Sequence, residues 1–181
     1  MRLFEPEVCP GFEWVRPVDD ADHEYLWSLD GTPRQEGWRP IPVTRLTVDD
    51  AGQPWSESDF PWLGAHVLVM RERAVAALEP ALRSCGELLP LSCPDADLWL
   101  FHSLAVAEPS TSRASSIVRF SDGEILTVER YAFHPDKVPN VPIFKVPQLL
   151  RGPLFITDDF VDQVKANDLT GFGCSAVWTS H

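Results

Sequence analysis

The hydrophobic and polar positions of this chain follow no clear period over the first 58 residues and a regular one from Asp59 onward. His66-Val67-Leu68-Val69 is a short apolar run of the kind a buried strand carries. A helix is predicted over 71–84, because Val75, Leu78 and Leu82 fall at i, i+3 and i+7 and share one face. Pro80 should kink that helix or split it, since proline lacks the N–H and crowds the preceding turn. Gly86 is placed to end it. Residues 87–91 and 98–106 then read as strands. Residues 117–128 carry the clearest hairpin pattern, two apolar runs around Asp122-Gly123, a pair suited to the positive φ angles of a two-residue turn. Ile143-Phe144-Lys145-Val146 reads as a short extended piece and Leu154-Phe155-Ile156 as another strand. Thr157 should cap a short helix, with Asp158 and Asp159 at the positive end of its dipole and Phe160 and Val164 toward the core. Gly171 and Gly173 break that pattern, and Ser175-Ala176-Val177-Trp178 closes it as a final strand.

The region before Asp59 is different. Pro6, Pro10, Pro17, Pro33, Pro40, Pro42 and Pro54 predict short strands and ordered loops there, not a long helix. Residues 49–54, Asp-Asp-Ala-Gly-Gln-Pro, form a loop and the best candidate for an internal boundary. Two later stretches are alike. The first runs from Val67 through Arg73-Ala74-Val75 to Gly86, the second from Leu154 through Phe160-Val161 to Gly171. Both read strand, short helix, glycine, strand, which fits a diverged duplication or two generic units. The pattern as a whole predicts one α+β domain over 1–181, a mixed or largely antiparallel sheet with two or three short helices and proline-rich loops.

Composition narrows the function. The chain has 181 residues, 44% hydrophobic and 23% charged, an ordinary globular balance. Asp and Glu number 27 against 15 Lys and Arg, a formal charge of −12. Nucleic acid and anionic membrane surfaces would repel such a chain, whereas a cationic protein would be attracted. Five of the seven tryptophans, Trp14, Trp27, Trp38, Trp55 and Trp62, lie in the first 62 residues. The stretch 1–57 is thus an acidic, Trp-rich N-terminal region. The first residues are acidic and lack the apolar segment of a secretory signal, so a soluble cytoplasmic protein is expected. Cys9, Cys85, Cys93 and Cys174 form no C-x-x-C pair and read as reduced thiols.

Catalytic signatures are sparse. The phosphate-binding loop, the H-E-x-x-H helix and the G-x-S-x-G elbow are all missing. Gly171-Phe172-Gly173-Cys174-Ser175-Ala176 matches G-x-G-x-x-A in letters alone, because only five residues follow where a helix should open. The densest polar cluster is Asp19-Asp20-Ala21-Asp22-His23-Glu24. It reads as a solvated acidic loop or as a surface for a cationic partner, and it lacks the glycine and spacing of a calcium loop. His102, behind Trp99-Leu100-Phe101, reads as structural. No metal, cofactor or catalytic residue is expected. An alternative enzyme reading, a small hydrolase or transferase, would use Glu57 and Asp59 as acid and base beside Ser58.

From about residue 58 an ordered set of short motifs appears. They are Asp59-Phe60-Pro61-Trp62-Leu63-Gly64, Arg73-Ala74-Val75-Ala76-Ala77-Leu78 and Gly86-Glu87-Leu88-Leu89-Pro90-Leu91. Ile143-Phe144-Lys145-Val146-Pro147 follows, then Phe155-Ile156-Thr157-Asp158-Asp159-Phe160-Val161, Leu169-Thr170-Gly171-Phe172 and Val177-Trp178. In this order they resemble the myxobacterial-type immunity proteins of bacterial polymorphic toxin systems, over roughly 120 residues of the family-like core 58–181. The resemblance implies a non-enzymatic inhibitor that binds the toxic C-terminal domain of a secreted effector in the producer's cytoplasm. It carries over no catalytic residue. An acidic inhibitor suits a basic toxin domain, and composition places the toxin-binding patch on Asp19, Asp20, Asp22, Glu24 and Trp27, with Glu57 and Asp59.

Overall fold

The computed structural model describes residues 1–107, 116–119, 125–146 and 152–180. The elements in chain order are β1 (Arg2–Glu7), β2 (Trp14–Pro17), α1 (Asp20–Trp27), β3 (Ile41–Leu46), β4 (Leu68–Arg71), α2 (Glu72–Arg83), β5 (Gly86–Ser92) and β6 (Leu98–Ser103). After these come β7 (Ser116–Arg119), β8 (Ile125–Arg130), β9 (Ile143–Phe144), β10 (Phe155–Thr157), α3 (Asp158–Ala166) and β11 (Gly173–Thr179). One sheet has the order β11-β1-β10-β9, a second β2-β3-β5-β6-β4, and β7 pairs with β8. This is the α+β class the pattern predicts. The strands of the expected hairpin are present and antiparallel, while its Asp122-Gly123 turn lies outside the described residues.

The five-stranded sheet closes on itself. β2 pairs with β3, β3 runs parallel to β5, and β6 lies antiparallel between β5 and β4. Residues 56–62 complete the circuit. Glu13 N donates to Ser56 O (2.9 Å), Val15 N to Trp62 O (2.7 Å), and on the far side Arg71 N to Asp59 O (3.0 Å). Strand alternation then sorts the side chains. Val15, Ile41, Val43, Val67, Val69, Leu89, Leu91, Leu98 and Leu100 fill the inside of the ring, and Leu26 of α1 packs into the same cluster. The opposite parity, Leu68, Met70 and Phe101, faces α2 and α3.

The four-stranded sheet is likewise covered on both faces. Ile143 and Ile156 join the cluster with α2 and α3, while Leu3, Phe144 and Phe155 pack with Phe133 and Trp178 on the other side. β1 lies at its centre, between β10 and β11, so the chain does not divide at 49–54. That loop is a tight turn in which Asp49 Oδ1 accepts from the backbone of Ala51 and Gln53.

The two similar stretches adopt the same arrangement. β4-α2-β5 and β10-α3-β11 each enclose a third, antiparallel strand, β6 in one and β1 in the other. The interposed strand follows its unit in the first case and opens the chain in the second. Ala74 and Leu78 of α2 and Phe160 and Val164 of α3 share one core.

Local expectations shift in three places. Pro80 leaves α2 continuous from Glu72 to Arg83. Both Pro80 and Ala76, whose carbonyl loses its helical donor, are exposed, so water can serve the orphan oxygen. Gly86 opens β5 and is not the helix cap. A Cβ there would lie 2.4 Å from His102 O and 2.5 Å from the Phe101 ring. Gly86→Ala should therefore cost about 1–3 kcal/mol of stability by overpacking, read from urea unfolding; an unchanged midpoint would refute this. Thr157 is the N-cap residue of α3 but makes no capping bond, and its Oγ1 instead donates to Pro142 O (3.3 Å).

Candidate binding surface

The acidic run expected as a loop is a helix. Asp19 is the N-cap of α1, and its Oδ1 accepts from Ala21 N (2.9 Å). Asp20 and Asp22 sit in the first turn, where the helix dipole favours negative charge. Asp19 and Asp20 are exposed, and among the described residues Asp19, Asp20 and Asp22 make no ion pair. Glu24 is exposed on the next turn. Only Leu26 of the helix is buried. Apolar groups stand beside the acids: Val18 is 67% exposed and Tyr25 40% exposed, with the Tyr25 ring 5.9 Å from that of Trp38. Trp27 is half-buried, its ring near those of His23 (6.1 Å) and His66 (6.3 Å).

Buried bases hold the chain that leaves α1. Lys145 Nζ donates to Leu29 O (2.8 Å), and His102 Nε2 lies 2.9 Å from Thr32 O. Lys145 is only 4% exposed, and burial pushes its ammonium down to about 8, with Asp30 partly opposing. Burial likewise pushes the His66 imidazole down to about 4, helped by electrostatic repulsion from Lys145 and His23. His66 Nε2 has no hydrogen-bond partner. Burial lowers His102 too, with the hydrogen bond at Thr32 opposing.

Glu57 and Asp59 occupy different settings. The Asp59 side chain is 8% exposed; its Oδ2 binds Arg73 Nη1 (2.7 Å) and accepts from Thr170 N (2.8 Å) and Oγ1 (3.1 Å). It fastens residues 56–62 to α2 and to the loop before β11. The Glu57 side chain is 63% exposed and touches Arg45 Nη2 (3.2 Å) and Arg71 Nη2 (3.5 Å). Each carboxylate thus faces its own arginines.

Beneath Glu57 lies a carboxylate that the sequence reading passed over. Glu13 is fully buried as a side chain. Its Oε2 accepts from Arg45 Nε (2.7 Å), and its Oε1 from Arg71 Nη2 (2.6 Å) and Nε (3.2 Å) and from Ser58 N (3.2 Å). These groups form one mouth of the ring. Glu13 precedes Val15 on the inward parity of β2, Arg45 continues Ile41 and Val43, and Arg71 continues Val67 and Val69. A charged residue extending an apolar alternation was the signal available in the sequence.

A cleft of about 470 Å³ lies elsewhere, between the end of α2 and the start of α3. Ser84, Asn140, Thr157, Asp158, Asp159 and Gln163 supply its polar lining. It contains neither Glu57 nor Asp59, and none of the buried groups whose proton affinity is displaced. Among the described residues no cluster of His, Cys, Asp and Glu could hold a metal ion, and no helix is long and apolar enough to cross a membrane. No family model and no curated protein matches the sequence.

Proposed function

We propose that this protein is an immunity protein, a stoichiometric binder that neutralises a cognate, basic toxin domain in the cytoplasm of the producing bacterium without catalysis. The observation that carries this reading is α1. It presents Asp19, Asp20 and Glu24 to solvent beside exposed Val18 and Tyr25, on a scaffold of net charge −12. Carboxylates around an apolar centre attract and then hold a cationic surface. Nanomolar inhibition needs about −12 kcal/mol, a sum that a few aromatic anchors with charge complementarity can reach. The motif resemblance over 58–181 points the same way. Glu57 and Asp59, the pair an enzyme reading would use, are each bound to arginine, and neither lines the cleft between α2 and α3.

The test is titration calorimetry against the toxin domain encoded by the neighbouring gene, with growth rescue alongside. Nanomolar binding with rescue is expected. The combined variant Asp19→Asn, Asp20→Lys, Asp22→Lys keeps a capping residue at 19 and should weaken binding by on the order of 100-fold while flattening its salt dependence. Absence of binding at micromolar concentration would sink the immunity reading. Unchanged affinity in the folded variant would move the interface off α1.

A further inference from the structure

The mouth of the strand ring holds two guanidiniums that are fixed from below and loosely covered from above. Buried Glu13 takes the Nε of both Arg45 and Arg71, and Arg71 Nε also donates to Ser58 O (2.9 Å). A planar guanidinium held at its base presents its remaining N–H groups in a set direction. Here Arg45 Nη2 donates to Glu57 Oε2 (3.2 Å), and Arg71 Nη2, whose shorter bond is to Glu13 Oε1 (2.6 Å), stands 3.5 Å from the same Glu57 oxygen. The arginine side chains are 17% and 16% exposed. The Glu57 side chain is 63% exposed. The four charges cancel while Glu57 is in place, and its departure leaves one net positive charge.

We propose that Arg45 and Arg71 form a carboxylate-binding site, and that Glu57 is a displaceable internal occupant of it. Two observations separate Glu57 from an ordinary surface ion pair. Two arginines share the same carboxylate oxygen, which is the geometry of a receptor for an anion. Their orientation is maintained by a buried residue that does not depend on Glu57. An exposed ion pair holds its partners weakly, so Glu57 can swing into water and an incoming carboxylate can replace it. The site is separate from the α1 acids. It gives a protein of net charge −12 a place that accepts a negative group, either a free carboxylate or an acidic side chain of a bound protein.

Glu57→Ala opens the site without touching Glu13, and Glu57 is exposed enough for the variant to fold. The Arg Nε–H resonances of Arg45 and Arg71 would be followed by NMR during titration with sodium acetate, against sodium chloride at equal ionic strength. Saturable acetate-specific shifts are expected in Glu57→Ala, roughly three- to tenfold tighter than in the wild type, and lost in Glu57→Ala with Arg45→Gln. A capped peptide carrying one glutamate, compared with its glutamine counterpart, separates the two sources. Peptide binding tighter than acetate assigns a protein side chain, and equal binding assigns a small free carboxylate. No saturable response to either in Glu57→Ala would overturn the site, and equal affinity in variant and wild type would overturn the role of Glu57.

Discussion

Replacing Glu13 with alanine is expected to remove about 3–5 kcal/mol of stability, the usual cost of deleting one member of a buried, hydrogen-bonded ion cluster. The carboxylate itself is not the main stabilising agent. Two arginines enter the mouth of the ring with side chains about five-sixths buried, and Glu13 compensates both. Without it they face each other across a space with little solvent, and the backbone N–H of Ser58 loses its acceptor. Glu57 does not replace it, because its exposed carboxylate approaches one nitrogen of each arginine at 3.2 and 3.5 Å and reaches neither Nε. Urea unfolding of Glu13→Ala and Glu13→Gln separates the contributions. The glutamine variant preserves shape and one acceptor oxygen, so it should lose less, although one net positive charge remains unbalanced. Replacement of Glu13, Arg45 and Arg71 together by apolar residues should recover much of the loss, since a well-packed apolar layer often matches a buried charge cluster. A Glu13→Ala midpoint within experimental error of the wild type would show that water already solvates the cluster.

Glu13 also shows how far the sequence could be read. Helices α2 and α3 were legible because Leu78 and Leu82, and Phe160 and Val164, repeat at helical spacing over a face that is in fact buried. The strands near 66–69, 87–91 and 154–156 were legible for the same kind of reason, although β4 begins two residues later, at Leu68, and β10 one later, at Phe155. Helix α1 was not, because only Leu26 of its eight residues is buried and no apolar stripe exists to detect. Its signal was chemical: an aspartate at the cap followed by two acids in the first turn. The ring closure is non-local. Nothing in Phe60-Pro61-Trp62 announces that its backbone will pair with β2, some 45 residues earlier. The same holds for β1, whose partners β10 and β11 lie at the other end of the chain. As for the proposed binding surface, its acids could be picked from charge density alone. That Asp59 is internal, and that Glu57 sits on two arginines, depends on contacts made only in the folded chain.

Stability should also fall steeply on mild acidification, through the bases under the segment that leaves α1. His66 is 92% buried, and its imidazole is held neutral down to about pH 4 instead of 6.5. The unfolded chain therefore binds a proton at this site between those values while the folded chain does not. The contribution of neutral His66 is complete above about pH 6.5 and is lost as pH falls toward 4, at a cost of about 3 kcal/mol over that window. His102, lowered by burial beside Thr32, Lys145, Glu87 and Arg34, adds to the loss in the same direction. Lys145 works at the other end. With its ammonium lowered to about 8, the folded chain carries a buried positive charge at neutral pH, and stability should rise as pH climbs from 8 toward 10.5. The groups share one location. A second positive charge on His66 would stand near Lys145 and His23, just where Lys145 Nζ holds Leu29 O and Trp27 faces the His66 ring. Acid should therefore loosen α1 and residues 28–34 before it unfolds the sheets, carrying the acidic surface with them. Hydrogen exchange at pH 7, 6 and 5 should show protection falling first at 20–34, with β1, β10 and β11 unaffected. His66→Gln, which cannot take up the proton, should flatten the difference in unfolding free energy between pH 6.5 and 4. A His66 imidazole that titrates near 6.5 by NMR, with wild-type and Gln curves running parallel, would remove this latch from the account.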